Sequence, residues 1–92
     1  MKLTISLIIP ALNEEAGLEP TVNKVIQDLG EKFSDYEILI VNDGSQDKTG
    51  IIMDQLETQN PEIKVVHHEK PGGVGNAFLE GIAIAKFDSF VY

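Results

Sequence analysis

Four short apolar runs, three of them bounded by a turn-forming residue, constrain this chain more than any other feature. Thr4-Ile5-Ser6-Leu7-Ile8-Ile9 runs into Pro10, and Tyr36-Glu37-Ile38-Leu39-Ile40-Val41 runs into Asn42-Asp43-Gly44-Ser45. Ile63-Lys64-Val65-Val66-His67 follows the Asn60-Pro61 turn signal, and Asp88-Ser89-Phe90-Val91-Tyr92 is the fourth run. Each is short for a helix and rich in side chains that favour pleated backbone. Near-continuous apolar runs of this kind suit parallel strands covered on both faces.

Helix-period segments lie between the runs. Leu18, Val22, Val25, Ile26 and Leu29 form one stripe, with Asn13 as N-cap, Glu14 and Glu15 in the first turn and Gly30 as the stop. Ile51, Ile52 and Leu56 form a second stripe, opened by Ser45 or Asp47. A third runs from about Gly73 to Lys86, with Ala77, Phe78, Ile82 and Ala85 facing inward. The alternation predicts an α/β fold: an open, mainly parallel Rossmann-like sheet of about four strands, helices on both faces and right-handed crossovers. Ligands of such sheets lie beyond the carboxyl ends of the strands, which selects the loops 10–15, 42–49 and 67–75.

Ninety-two residues make one small domain, able to hide only about 60–65% of its unfolded surface. Its 42% hydrophobic and 24% charged residues fit a globular chain rather than a disordered one. No apolar run approaches the roughly 20 residues that span a bilayer. Pro10 closes the first run with no small-residue cleavage site behind it, so no signal peptide is expected. The absence of cysteine removes disulfides, thiolate catalysis and zinc-finger spacings, and fits a reducing cytoplasmic setting. A net charge of −8, with seven lysines and no arginine, opposes nucleic-acid binding. It also leaves no guanidinium fork for phosphate, so a bound diphosphate needs a metal ion or helix N-termini.

The three loops differ in what they offer. Pro10-Ala11-Leu12-Asn13-Glu14-Glu15 is extended, leaving backbone groups free to meet a flat ligand; its acids also read as ordinary first-turn residues. In Val41-Asn42-Asp43-Gly44-Ser45-Gln46-Asp47, Ser45 and Asp47 have a capping explanation, whereas Asp43 precedes the turn and can accept from the N–H groups of a base. Glu69-Lys70-Pro71-Gly72-Gly73-Val74-Gly75-Asn76-Ala77 lacks the G-x-G-x-x-G spacing and follows the third strand, so it is no dinucleotide fingerprint. It suits a helix N-terminus facing phosphate. His67 and His68 are neighbours on a strand, so their side chains point to opposite faces and cannot share one ion.

Together the loops resemble the opening of the family 2 glycosyltransferases, the inverting GT-A enzymes, with the dolichyl- and polyprenyl-phosphate sugar transferases closest in character. Pro10-Ala11-Leu12-Asn13-Glu14-Glu15 resembles the Pro-x-x-Asn-Glu-Glu motif, and Val41-Asn42-Asp43-Gly44-Ser45-Gln46-Asp47-Lys48-Thr49 resembles Val-Asp-Asp-Gly-Ser-x-Asp-x-Thr. Gly73-Val74-Gly75-Asn76-Ala77, with Gly81 and Ala85, resembles the helix that follows. The resemblance implies a nucleotide site of Pro10, Ala11, Leu12, Glu14, Val41 and Asp43, with Glu14 near the ribose, Asp43 accepting from the base and Val41 packing against it. Asn42, Val74 and Leu12 depart from the family's usual Asp, Lys and aromatic: Asn42 contributes no charge, Val74 weakens a phosphate contact, and Leu12 leaves the choice between UDP and GDP open.

By the same resemblance, residues 1–92 are the N-terminal nucleotide-binding part of a GT-A domain, ending before the Asp-x-Asp motif. The chain itself then carries no catalytic residue, no metal ligand and no cofactor, and is inactive alone. The full-length enzyme is expected to use Mg or Mn and to transfer a sugar from a nucleoside diphosphate sugar to a lipid phosphate or saccharide, in cell-envelope or glycan synthesis at the cytoplasmic membrane face. Two alternatives remain: a nucleotidyltransferase, which usually carries a Gly-rich, Lys/Arg-bearing loop after strand one, and a receiver-like signalling module, which needs an Asp where His67-His68-Glu69 stand. An apolar fourth strand at a sheet edge would also favour self-association through Asp88–Tyr92.

Overall fold

The computed structural model describes residues 4–68, Gly72, Phe87 and the backbone of 89–91. Strands β1 (Thr4–Ala11), β2 (Asp35–Asp43), β3 (Ile63–His68) and β4 (Ser89–Val91) form one parallel sheet in the order β3-β2-β1-β4. Helix α1 (Leu18–Lys32) joins β1 to β2, and α2 (Thr49–Gln59) joins β2 to β3. The open parallel α/β sheet expected from the alternation is therefore present. The expected third helix, 73–86, lies outside the described residues.

Register explains how the sheet divides its side chains. Leu7 pairs with Ile38 and Ile38 with Ile63, so the odd residues of β1 share a face with the even residues of β2 and the odd residues of β3. Ile5, Leu7, Ile9, Ile38, Ile40 and Ile63 form the core on that face with Leu18, Val22, Val25 and Leu29 of α1 and Met53 and Leu56 of α2. Each such side chain, once buried, contributes about 1.5–3 kcal/mol. Both described helices thus cover the same face. The other face carries a second buried cluster, Ile8, Leu39 and Val41.

That second face also hides a carboxyl group. Glu37 is buried, accepts the Ser6 hydroxyl at 2.6 Å and lies 3.4 Å from the Lys64 ammonium. Ser6 Oγ in turn accepts the backbone N–H of Phe87 at 3.0 Å, tying the approach to β4 to the centre of the sheet. At the edge, Glu57 of α2 accepts the N–H of Val65 at 2.8 Å, giving a β3 backbone donor an acceptor outside the sheet.

Several boundaries differ from the sequence expectations. β1 passes through Pro10 to Ala11, because β4 pairs only with Ser6–Ile8 and Pro10 has a described strand neighbour on one side alone, where a missing N–H is tolerated. α1 starts at Leu18, with Gly17 and not Asn13 at the N-cap position. Pro20 explains this: a proline fits the first turn of a helix, whose N–H groups have no intrahelical partner, and would break a helix begun at residue 14. Gly30 does not stop α1, which continues to Lys32 and ends at the extended Phe33. On α2 the inward residues are Thr49, Met53 and Leu56, while Ile51, read as part of the stripe, is 61% exposed.

Candidate functional site

The strand order reverses at β1. From β1 the chain moves outward through β2 to β3, and β4 then returns to the other side of β1. A reversal of this kind opens a crevice beyond the carboxyl ends of the strands, the usual ligand position in open α/β sheets. The loop leaving β1 and the loop leaving β2 meet there.

The two loops are stitched together by side chain to backbone hydrogen bonds. Asn13 N donates to Ser45 Oγ at 3.0 Å, Glu14 N to Thr49 Oγ1 at 2.7 Å and Glu15 N to Asp47 Oδ2 at 3.3 Å. In return Gln46 N donates to Asn13 Oδ1 at 2.8 Å. Asn13 adopts a left-handed backbone, φ 52°, which an asparagine tolerates better than most residues, and this turns its side chain from helix capping to bridging the loops. Gly44 has φ 82°, the position where the second loop requires a residue without a Cβ. The expectation that the first loop leaves its backbone free fails at Asn13, Glu14 and Glu15, whose N–H groups are all used within the protein.

Asp47 gathers the most contacts in this clasp. Besides Glu15 N, it accepts Thr49 N at 2.9 Å and the Thr49 hydroxyl, so it opens α2 from the residue before Lys48. The Thr49 hydroxyl bond, with smaller help from the backbone N–H groups of Thr49, Glu15 and Asp47 itself, holds its carboxyl below the usual carboxylate range.

The residues expected to bind nucleotide occupy distinct places around the crevice. Pro10, Ala11 and Glu14 line a pocket of about 210 Å³ together with Ile9, Gly17, Leu18 and Thr21. That is below the ~300–1,000 Å³ enclosing a whole drug-sized ligand, so the pocket takes a part of one. Leu12, at the tip of the loop, is 44% exposed. Val41 is fully buried against Ile8 and Leu39, behind the crevice surface and not on it. Asp43, 5% exposed, ends β2 on the same face as Val41; its Oδ1 accepts Gly72 N at 2.7 Å and lies 3.5 Å from His68 Nδ1.

Neighbouring residues on β2 point to opposite faces, and so do the two histidines of β3 that pair with them. Asn42 and His67 meet on the helix-covered face, with Asn42 Nδ2 3.0 Å from His67 Nδ1. Asp43 and His68 meet on the other. The histidines therefore do not converge on one ion. Among the described residues no group of three or more His, Cys, Asp or Glu is placed to hold a metal. Also among them, no helix is long and apolar enough to cross a membrane.

Sequence reading missed Thr49, His67 and Asn13 as connecting residues. Their partners lie 25 to 35 positions away, beyond the reach of local motif reasoning. The Gly-rich segment 73–77 lies outside the described residues; Gly72, just before it, is described.

Comparison with known proteins is consistent across sequence and structure. The family model for glycosyl transferase family 2 matches residues 6–92. Glycosyltransferase GlyG of Streptococcus pneumoniae is 33% identical over 86 residues, which are 94% of this chain and 28% of that protein. The dolichol-phosphate mannosyltransferase of Pyrococcus furiosus is 33% identical over 89 residues, 97% of this chain and 24% of that protein. The chain thus spans about a quarter of the length of these relatives. The crystal structure of S. aureus TarS 1-349 superposes with a TM-score of 0.81 at 22% identity, over 98% of this chain and 27% of that one. This last likeness is one of fold.

Proposed function

The chain belongs to glycosyl transferase family 2, and from that premise we propose that residues 10–14 and Asp43 form the nucleoside-binding part of an inverting glycosyltransferase. The supporting observation is the meeting of the β1 and β2 loops at the point where strand order reverses, with the Pro10, Ala11 and Glu14 pocket beside it. In this reading Glu14 accepts from ribose hydroxyls, Asp43 from the base, Leu12 covers the ring from the loop tip, and Val41 supports Asp43 from beneath.

The donor is then a nucleoside diphosphate sugar and the acceptor a polyprenyl phosphate or a saccharide. The dolichol-phosphate mannosyltransferase among the relatives favours the lipid acceptor, and with it a cytoplasmic membrane face. The N–H groups of Asn13, Glu14, Glu15 and Gln46 are occupied in the clasp, so in this reading the diphosphate and any divalent ion are held by other groups of the whole protein. In this reading the described residues recognise the nucleoside, and none of them acts on the sugar. β4 is an edge strand among the described strands, and self-association along it is part of the same reading.

Titration of UDP- and GDP-sugars against isotopically labelled protein tests the site. Shifts centred on Pro10–Glu14 and Asp43, and lost in Asp43→Asn, are the expected result. A spectrum unchanged by either nucleotide at millimolar concentration refutes nucleoside binding by these residues. A sedimentation coefficient independent of concentration removes self-association.

A further inference from the structure

The orientation of one buried amide links the outer surface of α2 to the candidate site. Ser45 N–H can only donate, so the Asn42 atom 2.9 Å from it is Oδ1. That turns Nδ2, which can also only donate, toward His67 Nδ1 at 3.0 Å. His67 Nδ1 must therefore be an unprotonated acceptor, and the proton of the neutral ring sits on Nε2, 2.8 Å from Asp54 Oδ1. Every donor in the series Asp54, His67, Asn42, Ser45 then has one consistent direction. Ser45 Oγ passes it on by accepting Asn13 N at the loop that leaves β1.

Packing keeps the series in place. Asn42 is 6% exposed, so water does not readily replace its partners. Gly50 leaves the room it needs: a Cβ there would stand 3.1 Å from Asn42 Nδ2, 3.6 Å from His67 Cε1 and 3.7 Å from His67 Nδ1. The outer pair is wet, with the His67 side chain 41% exposed and that of Asp54 63%, and pairs of that kind add little to stability. Their consequence is directional: they determine which end of the Asn42 amide faces inward. An aspartate at position 42 would have no donor to give His67.

We propose that His67 and Asp54 are positioning residues for the nucleotide site, fixing the Asn42 amide so that it holds Ser45 and, through Ser45, the loop leaving β1. The proposal rests on the nucleotide reading of that loop. It carries a pH dependence, since protonated His67 turns an N–H toward the Asn42 amino group and two donors then face each other. The amide must rotate, and Ser45 loses its acceptor. The groups facing His67 are Asp54 of α2 and the neutral Asn42 of β2; Glu57 of α2 is engaged by Val65 N, and Asp43 and His68 lie on the opposite face.

NMR on the wild-type protein and the His67→Gln and His67→Leu variants tests this. The expected wild-type spectrum has Nδ1 as the unprotonated ring nitrogen, with Ser45 and Asn13 amide resonances moving once acid protonates the ring. UDP or GDP affinity falls with them by about five-fold, the size of one neutral hydrogen bond. His67→Gln, whose Oε1 can accept from Asn42, keeps the neutral-pH affinity and loses its acid dependence. His67→Leu binds about five-fold more weakly across the range, by the same accounting. A proton on Nδ1, Ser45 and Asn13 resonances indifferent to pH and to His67→Leu, or Gln and Leu variants that behave alike overturns the proposal. If no nucleotide binds wild type, the nucleotide reading fails, and the Ser45 and Asn13 resonances alone decide whether His67 positions the loop.

Discussion

The Thr49 hydroxyl lies 2.7 Å from the backbone N–H of Glu14, joining the first residue of α2 to the loop that leaves β1 across 35 positions of sequence. Thr49 is fully buried, and the same hydroxyl donates to Asp47. One side chain thus serves as acceptor for one loop and donor to the other.

Thr49→Val keeps the shape and removes both bonds. The Glu14 N–H is then left part-buried without its acceptor, which costs about 1–3 kcal/mol. Urea denaturation should show that loss with an unchanged m-value, and Thr49→Ser should recover most of it. Equal stability of the Val variant and wild type would mean that the clasp contributes nothing to folding.

Acid should loosen the same clasp through Asp47. Its folded-state pKa is depressed, first by the Thr49 hydroxyl, so its contribution is present above the ordinary carboxylate pKa of 3.8 and is lost as pH falls through the lower folded value. Melting curves of wild type and Asp47→Asn should therefore differ at neutral pH and converge in strong acid. A gap between the two that stays constant down to the acid limit contradicts this assignment.

Gly50→Ala sets two effects against each other. Alanine in a helix is favoured over glycine by about 0.5–1 kcal/mol. The new Cβ, however, falls 3.1 Å from Asn42 Nδ2, an atom pinned between His67 and Ser45. The expected outcome is a protein no more stable than wild type, with displaced Ser45 and Asn42 resonances. A gain matching the full helix propensity would show that the Asn42 amide moves freely.

The face of α2 can be checked with a pair of truncations. Met53 is fully buried and Ile51 is 61% exposed. Met53→Ala should cost about 2–5 kcal/mol and Ile51→Ala under about 0.5 kcal/mol. On a total stability of roughly 5–15 kcal/mol for a domain, the first is a large fraction and the second is not. The reverse ranking would place the helix in a different rotation on the sheet.

What the sequence disclosed was governed by range. The strands were legible because β-branched runs and turn residues are local signals, and β1 to β3 lie within two residues of their expected ends. The places of Pro10, Ala11, Leu12, Glu14 and Asp43 at strand ends followed from that alone. Strand order did not, since nothing local says that β4 returns beside β1. The role of Asn13 was misread because a cap and an inter-loop bridge use the same atoms; only the φ of 52° and the partner Gln46 distinguish them. Pro20 was the available clue that α1 starts late. Ile51 was assigned inward because three isoleucine and leucine positions fit a helical stripe, yet Met53 and Thr49 form the buried side.

The two clasped loops also have a consequence for inheritance and exchange. Each bond in the clasp joins the side chain of one loop to the backbone of the other, so the composition of one decides whether the other has its acceptors. Such loops are a single transplantable part. A chimera taking residues 12–17 from one relative and 44–49 from another should fold poorly unless its Asn13, Ser45, Asp47 and Thr49 positions arrive as a matched set, whereas moving both segments together should preserve the crevice.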